Sequence, residues 1–297
     1  MTIHSWLVEA TQKLVQAGIG TARLDALVLL EDELNTNRAQ LLAHPELKLT
    51  MVRRAKLGRK LARRGRHEPL AYIRGHTEFY GREFIITNAV LEPRAESEAM
   101  LDLLKSLPLS QNSFASAGLT KSTASITLGQ LSKTPPNLRR TIQIADVGTG
   151  SGALGITAAL EIGCTVELIE IDDDAIRVAK RNVKKFATDN SVIKSDLLAQ
   201  TTTKYDILLC NLPYVPSNFH INPAALNEPK IAIFGGLDGL DIYRRLFTQL
   251  ENLKQQPQYV LTESLPPQHT KLAQIAKEAG FKLTKAEDFI QVFVRSS

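Results

Sequence analysis

Five residues, NLPYV from Asn211 to Val215, directly follow an apolar run, DILLC, that predicts a buried strand. Asn and Pro are common turn formers, so one interpretation is a turn that ends the strand. The other interpretation is a binding site, because the Asn211 amide, the rigid Pro213 and the aromatic Tyr214 could together hold a substrate nitrogen. The rest of the sequence must decide between these interpretations.

A glycine-rich stretch, IADVGTGSGAL, follows a second predicted strand and opens a predicted helix. Glycines let the backbone turn sharply and approach a ligand closely. Their spacing is G-x-G-x-G, not the G-x-G-x-x-G of dinucleotide binding. The acid that precedes them favours a cationic ligand, because it would repel a pyrophosphate. The candidate cofactor-binding residues of this stretch are Asp146, Gly148, Thr149, Gly150 and Gly152.

Two further acids follow the next predicted strands. Glu170 lies 18 positions after Gly152, where a carboxylate can accept hydrogen bonds from ribose hydroxyls. Asp196 follows the third strand, where it could accept from an adenine amino group. Each acid alone is compatible with a solvated loop. Together with Asp146 they fit a cationic cofactor that carries ribose and adenine, a description that S-adenosylmethionine meets.

Strand and helix patterns alternate after Thr141 and therefore predict an α/β fold with a mostly parallel, doubly wound sheet. In such a sheet, ligands bind beyond the carboxyl ends of the strands. Both NLPYV and the glycine-rich stretch lie at such ends. We therefore expect residues 141–297 to form the domain that carries the chemistry.

The chain before Thr141 has a different character. Helical periodicity from Trp6 to Arg66 predicts a small bundle, which we assign to residues 1–75. A change to strand-like character around Gly81 predicts a hairpin, and residues 106 to about 140 are rich in Ser, Thr, Gly and Pro. We therefore interpret residues 76–140 as a connecting hairpin followed by a linker or insertion.

Composition excludes several classes of protein. The 297 residues are 43% apolar and 23% charged, as in globular domains, and no run of about 18 apolar residues could span a membrane. No secretory signal is visible. Cys164 and Cys210 lie in apolar, strand-like runs, which predicts core thiols and neither a disulfide nor a metal site. We expect a cytoplasmic protein.

The net charge of +5 is concentrated in Arg53–Arg66, a predicted helix with eight basic residues and no acid. Such a helix could contact phosphate backbones of the ribosome or another nucleic acid, or an acidic protein surface. A solvated helix face is the alternative.

Several motifs taken together carry a resemblance that covers almost the whole chain. They are EPLAYIRGHTEFYGREFIIT, VLEPRAESE, DVGTGSGAL, DDAIRVAKRN, SDLL, NLPYV and NEPKIAIFGGLDGLDIYRRL. The sequence resembles class I methyltransferases, and more closely the release factor glutamine N5-methyltransferases, often called HemK or PrmC. The resemblance implies a Rossmann-like methyltransferase domain that uses S-adenosylmethionine, preceded by a helical partner-recognition domain.

The resemblance also implies an activity and roles for residues. Family members methylate a glutamine side-chain amide in peptide chain release factors, the proteins of translation termination. Their Asn-Pro-Pro-Tyr motif holds the substrate nitrogen between the Asn side chain and the next carbonyl, with the aromatic beside the amide plane. The implied catalytic residues are Asn211, Leu212, Pro213 and Tyr214, and Asn211 is also placed at the cofactor.

The sequence departs from the family pattern at several points. Leu212 replaces the usual Pro, and the segment that begins at Glu263 lacks the usual glycine after its acid. Arg94 and Glu98 match a family segment near the active site, which implies that they order that segment and the cofactor pocket. A plain surface ion pair is the alternative for those two residues.

Two other functions stay open at the level of sequence. Asn-Leu-Pro-Tyr also occurs in rRNA adenine dimethyltransferases, and adenine N6 is a planar amino group like an amide, so a nucleic-acid methyltransferase is one alternative. An assembly factor that binds S-adenosylmethionine without catalysis is the other. The intact Asn211 and Tyr214 argue against the second.

Overall fold

The computed structural model describes residues 1–108, 127–133, 142–219 and 227–296. Within these ranges the chain forms two compact units, one made of Met1–His76 with Asn227 and the other of the described residues from Thr77 to 219 and from Glu228 to 296. Within the described ranges, no helix is both long enough and apolar enough to span a bilayer.

The first unit is a bundle of short helices. They span Ile3–Gln16, Ala22–Leu34, Arg38–Ala43, Met51–Arg64 and Leu70–Arg74. The apolar face of each longer helix contributes to one core, in which Trp6, Leu14 and Leu30 are buried with Leu57. Side-chain oxygens cap several of the helices, because an N-terminal turn leaves its first N–H groups without partners.

The basic helix Met51–Arg64 is partly neutralised inside this unit. Arg64 donates to the buried Asp25 over 2.6 Å, Lys60 donates to Asp32 over 2.7 Å, and Arg63 pairs with Glu68. Other arginines of the same helix are exposed and, within the described ranges, form no ion pair; they include Arg53 and Arg59. The positive charge available to a partner is therefore smaller than the sequence suggests.

The second unit begins with a hairpin of two strands, β1 (His76–Phe79) and β2 (Arg82–Ile85). Its main sheet contains β3 (Ile144–Val147), β4 (Val166–Glu170), β5 (Val192–Lys194), β6 (Ile207–Cys210), β7 (Tyr259–Glu263), β8 (Phe281–Glu287) and β9 (Ile290–Arg295). The spatial order is β5-β4-β3-β6-β7-β9-β8, and only the pairs that involve β9 are antiparallel. The predicted α/β fold with a mostly parallel, doubly wound sheet is confirmed.

Helices cover both faces of this sheet. One core lies against the helices Glu98–Ser106, Ala153–Ile162 and Asp173–Phe186, and includes Met100, Leu104 and Ile156. The other core lies against the helices Asp241–Glu251 and His269–Glu278, and includes Phe247 and Leu272. Burial on both faces explains why the central strands are continuous apolar runs.

Two sequence-based expectations need comment. Cys164 lies in the turn between the helix Ala153–Ile162 and β4, not in a strand, whereas Cys210 lies in β6 as expected; both thiols are free. Inside the segment interpreted as a linker, Leu128–Lys133 forms a 3-10 helix, and Leu128 is buried in the core. Residues 109–126 and 134–141, which make up most of that segment, lie outside the described residues.

Candidate active site

The topology of the sheet brings the predicted site residues to one edge. Val147 of β3 pairs with Ile169 of β4 on one side and with Cys210 of β6 on the other. The loops that begin after these residues are therefore neighbours. The chain winds toward β5 from one side of β3 and toward β7 from the other, and such a switch point is where open α/β sheets bind ligands.

The glycine loop after β3 has a backbone that favours glycine. Gly148, Gly150 and Gly152 have φ angles of +73°, +55° and +82°, a region that other residues rarely adopt. A Cβ at Gly148 would lie 2.9 Å from the Leu212 side chain, so this loop passes directly beside NLPYV. The helix Ala153–Ile162 begins at once after the loop.

Asp146 fastens this loop to the following helix. Its side chain is buried, and Oδ2 accepts hydrogen bonds from the Thr149 hydroxyl at 2.5 Å and from the Gly155 N–H at 2.9 Å. Burial raises the pKa of Asp146 to about 6, although both hydrogen bonds favour the ionised form. Asp146 also lines the cavity described below, so its charge faces both the loop and the cavity.

Glu170 is already engaged by backbone groups. Its Oε2 accepts from the Gly150 N–H at 2.9 Å, and its Oε1 accepts from the N–H groups of Ile171 and Asp172 at 2.8 and 3.1 Å. A carboxylate has about four acceptor positions. Three of them are occupied, so one remains on Oε2 for a ligand, fewer than two ribose hydroxyls would need.

Asp196 lies after β5 at the mouth of the same cavity. Its Oδ2 forms an ion pair with Arg245 from the helix Asp241–Glu251. Its backbone groups bond to Gln200 and Gln249, which fixes the turn. Within the described ranges no hydrogen bond engages Oδ1, which is the oxygen that an adenine amino group could reach.

One cavity connects most of the predicted residues. Its lining includes Asp146, Gly148, Thr149, Gly150, Glu170, Asp196, Asn211, Leu212 and Pro213. Gly152 and Tyr214 do not line it. The remaining wall is largely apolar, with Leu154, Ile171 and Leu197 near the carboxylates. No group of His, Cys, Asp and Glu side chains suited to a metal ion occurs in the part of the chain that the structure describes.

NLPYV is joined to a buried hydrogen-bond network. The Asn211 amide donates to Ser97 Oγ at 2.8 Å, and the Ser97 hydroxyl donates to Glu263 Oε2 at 2.6 Å. The Tyr214 hydroxyl donates to the other oxygen, Glu263 Oε1, at 3.0 Å. Glu263 is 1% exposed, and burial raises its pKa. Asn211 and Tyr214 thus share one buried carboxylate.

Tyr243 joins the ends of the two strands that carry this network. It is fully buried, and its hydroxyl lies 2.8 Å from the Cys210 carbonyl and 2.6 Å from the Glu263 carbonyl. The same oxygen accepts from the N–H groups of Glu263 and Leu212 at 3.2 and 3.4 Å. This single side chain therefore fixes the spacing between Asn211 and Glu263.

The segment after Tyr214 is held from the other side. Gln268 donates from one amide nitrogen to the Tyr214 and Asp238 carbonyls, each at 2.8 Å. A Cβ at Gly239 would lie 2.0 Å from the Tyr214 carbonyl oxygen, so this glycine permits the close packing of the two loops.

Arg94 and Glu98 do not pair with each other. Arg94 donates to both carboxylate oxygens of the buried Glu228, and Glu98 accepts from the Tyr80 N–H at 2.7 Å. Burial raises the pKa of Glu228, and the adjacent Arg94 opposes that effect. Arg94 therefore anchors its segment to the NEP motif rather than forming a plain surface pair.

Sequence reasoning missed Ser97, Tyr243, Glu263, Gln268 and Arg245 as parts of this site. One signal was available for Glu263, because an acid at the end of the apolar run YVLTE is placed beside NLPYV when the two strands are neighbours. Ser97, Tyr243 and Arg245 lie inside the motifs VLEPRAESE and NEPKIAIFGGLDGLDIYRRL, but the motifs alone do not single them out, because these residues act through contacts between distant segments. Gln268 lies outside both motifs.

Two family profiles match the sequence. One is described as the PrmC N-terminal domain and matches residues 5–75, and the other is described as the methyltransferase small domain and matches residues 110–226.

Curated relatives fall into two groups. A release factor glutamine methyltransferase of Koribacter versatilis (strain Ellin345) is 32% identical over 86% of this chain and 83% of its own length. One of Bacillus anthracis is 31% identical over 80% and 77%, respectively. A bifunctional methyltransferase of Rickettsia bellii (strain RML369-C) is 32% identical over 98% of this chain. The chain spans about half the length of that relative, 53%.

A solved structure with similar architecture is the hMettl16 catalytic domain in complex with the MAT2A 3'UTR hairpin 1. It matches with a TM-score of 0.53 and 14% identity over 92% of this chain and 91% of that chain. At this identity the likeness concerns the fold alone.

Proposed function

Because the chain belongs to the release factor glutamine methyltransferase family, we propose that it transfers a methyl group from S-adenosylmethionine to the side-chain amide nitrogen N5 of a glutamine in a peptide chain release factor. The observation that carries this proposal is the position of Asn211 in the cavity that the three strand-end acids also line.

The cavity fits S-adenosylmethionine in its chemistry. Asp146 offers negative charge to a cationic ligand, the free position on Glu170 Oε2 suits a ribose hydroxyl, and Asp196 Oδ1 suits the adenine amino group. The glycine loop leaves room for a ligand against its backbone, and the apolar wall suits a purine ring. When bound, this cofactor supplies an electrophilic methyl group on a sulfonium.

Asn211 and Leu212 are the proposed acceptors for the substrate amide. Their oxygens, Asn211 Oδ1 and the Leu212 carbonyl, receive no hydrogen bond from any described residue, so both are available to the two N–H groups of a carboxamide. An amide nitrogen is a weak nucleophile because its lone pair is delocalised into the carbonyl. Two fixed acceptors orient that nitrogen, and Tyr214 supports their loop, so positioning supplies most of the proposed catalysis.

The helical unit is the proposed site of partner recognition. It matches the PrmC N-terminal profile, and its helix Met51–Arg64 presents exposed arginines such as Arg53 and Arg59. Exposed cations can contact acidic protein surfaces or phosphate groups of the ribosome. Since release factors act in translation, we expect the protein to work in the cytoplasm.

The direct test uses the full-length chain with methyl-labelled S-adenosylmethionine. Either a release factor or rRNA is added, and the product that becomes labelled is identified. We expect label in the release factor, on one glutamine that mass spectrometry locates. Exclusive labelling of rRNA would contradict the proposal, and absence of label in both would favour a binding protein without catalysis.

A matched control uses the substrate. A release factor in which that glutamine is replaced by Asn keeps a carboxamide but shortens the side chain by one methylene. We expect it to accept little label, because the nitrogen can no longer reach Asn211 and the methyl group together.

A further inference from the structure

Burial of the Glu263 carboxylate opposes folding. This carboxylate is 1% exposed at the end of β7, and no Lys, Arg or His among the described residues forms an ion pair with it. Burying an unpaired carboxylate costs free energy unless hydrogen bonds replace the lost hydration. Glu96 lies near enough to raise the pKa of Glu263 further, so the surroundings add to the cost.

The carboxylate accepts from two hydroxyl groups that lead to the proposed substrate site, and the Asn211 amide also lies near enough to lower the pKa of Glu263. Ser97 and Tyr214 each donate one hydrogen bond, at 2.6 and 3.0 Å. Because the Ser97 proton is directed at Glu263, the lone pairs of Ser97 Oγ point elsewhere, and one accepts from the Asn211 amide at 2.8 Å. The acceptor-only carboxylate therefore fixes the direction of both hydrogen bonds: Ser97 donates to Glu263, and Asn211 donates to Ser97.

This order decides which end of the Asn211 amide faces the cavity. With Nδ2 donating to Ser97, Oδ1 points the opposite way, and Asn211 lines the cavity. A flipped amide would place its oxygen against a serine oxygen whose proton is already committed to Glu263. That arrangement is repulsive, so the ionised carboxylate selects the orientation that offers an acceptor.

We propose that Glu263 is a positioning residue that acts on the Asn211 amide both directly and through Ser97 and Tyr214, so that the acceptor oxygen of Asn211 is presented to the methyl-accepting nitrogen. This inference rests on the proposed function. Glu263 itself touches neither substrate nor cofactor in this scheme. This role accounts for two features of the site. A carboxylate is buried at the end of β7 despite the free-energy cost, and Asn211 and Tyr214 are both connected to it.

A neutral group at position 263 would allow the chain of donors to reverse. A Gln amide or a protonated Glu can donate to Ser97 Oγ, after which the Ser97 hydroxyl is free to donate to Asn211 Oδ1. The Asn211 amide then turns its N–H groups toward the cavity, where they oppose the N–H groups of the substrate amide. The substrate loses an acceptor without any change in the shape of the site.

The test is Glu263→Gln in the full-length chain. We expect kcat for release factor methylation to fall roughly 10- to 100-fold, with S-adenosylmethionine affinity within about twofold of wild type. The matched control is Thr262→Val, because Thr262 is the preceding buried residue of β7 and its hydroxyl has no described partner. The control variant should keep the wild-type rate. If Glu263→Gln does not fold, Ser97→Ala interrupts the same connection and should lower kcat similarly.

The pH profile separates positioning from mere support of the fold. At saturating cofactor, kcat of wild type should decline at acidic pH as Glu263 gains a proton, and Glu263→Gln should lack that decline. The titratable and charged groups that face Glu263 or its hydroxyl partners are Tyr214, Glu96, Arg94 and Tyr243. Burial and Glu263 itself raise the pKa of Tyr214, so the tyrosine does not titrate in the same range.

A second measurement does not depend on catalysis. In ¹⁵N-Asn-labelled protein, the Asn211 side-chain amide, assigned by its loss in Asn211→Ala, should exchange slowly with solvent because it faces Ser97. Glu263→Gln should speed that exchange by on the order of tenfold. If wild type labels no release factor but the exchange responds, the proposed function fails and the positioning role stands. If Glu263→Gln methylates the release factor at the wild-type rate, the positioning role is wrong and the proposed function stands.

Discussion

At the scale of single residues, Asn211 carries the sharpest prediction about catalysis. Asn211→Ala should lower the methylation rate by on the order of 10²–10³, because a nitrogen without its acceptor loses much of the advantage of orientation. Asn211→Asp keeps an acceptor and the shape but loses the donor to Ser97 and adds a charge near Glu263. We expect it to be impaired as well. Single-turnover kinetics with saturating cofactor measure the rates of both variants. A wild-type rate in Asn211→Ala would mean that NLPYV is only a turn that ends the strand.

Leu212, by contrast, should tolerate the residue that the family usually has. Its proposed contribution is a backbone carbonyl that Pro also supplies, and its N–H makes one long hydrogen bond of 3.4 Å to Tyr243. Leu212→Pro should therefore keep most of the activity. The 3% exposed leucine side chain contacts the glycine loop near Gly148, so some stability should be lost. A loss of activity as large as that of Asn211→Ala would mean that the Leu212 N–H or side chain is required.

Residue types alone could predict the parts of the site that are local in sequence. Gly148, Thr149 and Gly150 share the cavity with Glu170 and Asp196, because strand ends of a parallel sheet converge at one edge. Glu263 could be found in the same way, as an acid at the end of a strand beside NLPYV, but its connection to Ser97 could not. The two residues are 166 positions apart, and Ser97 is 114 positions from Asn211, so only the folded chain brings them together.

At the scale of elements, the contact of the helix Ala153–Ile162 with the sheet depends on Gly155. A Cβ there would lie 2.3 Å from the Leu168 side chain and 2.8 Å from Asp146 Cβ. Gly155→Ala should therefore destabilise this helix by about 1–3 kcal/mol through overpacking.

Gly58→Ala is the control, since Gly58 is also helical but its Cβ would meet open space. That substitution should stabilise by about 0.5–1 kcal/mol. Hydrogen exchange of each helix measures both, and equal effects would contradict the packing argument.

The glycine loop should also make cofactor affinity depend on pH. The pKa of Asp146 is raised from 3.8 to about 6 in the folded protein. Its contribution to stability is therefore present at low pH and lost as pH rises through about 6. A cationic ligand in the cavity favours the ionised form, so binding of S-adenosylmethionine should weaken as pH falls below about 6. Calorimetry over this range should show the effect in wild type and a much flatter profile in Asp146→Asn. Identical profiles would show that the Asp146 charge does not act on the cofactor.

At the scale of the whole molecule, the sequence predicted the class of the catalytic fold but overstated the free charge of the helical unit. The alternation of strands and helices was a sufficient signal for the parallel sheet. The run of eight basic residues in Arg53–Arg66 was not a sufficient signal for a phosphate-binding surface. Arg63, Arg64 and Lys60 are committed to acids of the same unit, one of them the buried Asp25. Charge reversal at those three positions would break ion pairs inside the helical unit, so it would test the stability of the bundle and not the binding of a partner.

The informative variant is therefore Arg53→Glu with Arg59→Glu, both exposed and outside any described ion pair. If this helix meets an acidic or phosphate-bearing partner, KM for the release factor should rise roughly three- to tenfold and depend less strongly on salt. The value of kcat should not change, because no group of the cavity is altered.

The control is Lys254→Glu with Lys282→Glu, which makes the same change in net charge at exposed positions of the other unit. An equal rise of KM in both would mean that net charge alone steers the partner. An unchanged KM in the arginine variant would make this helix a solvated face and direct the search for the partner surface to the rest of the molecule.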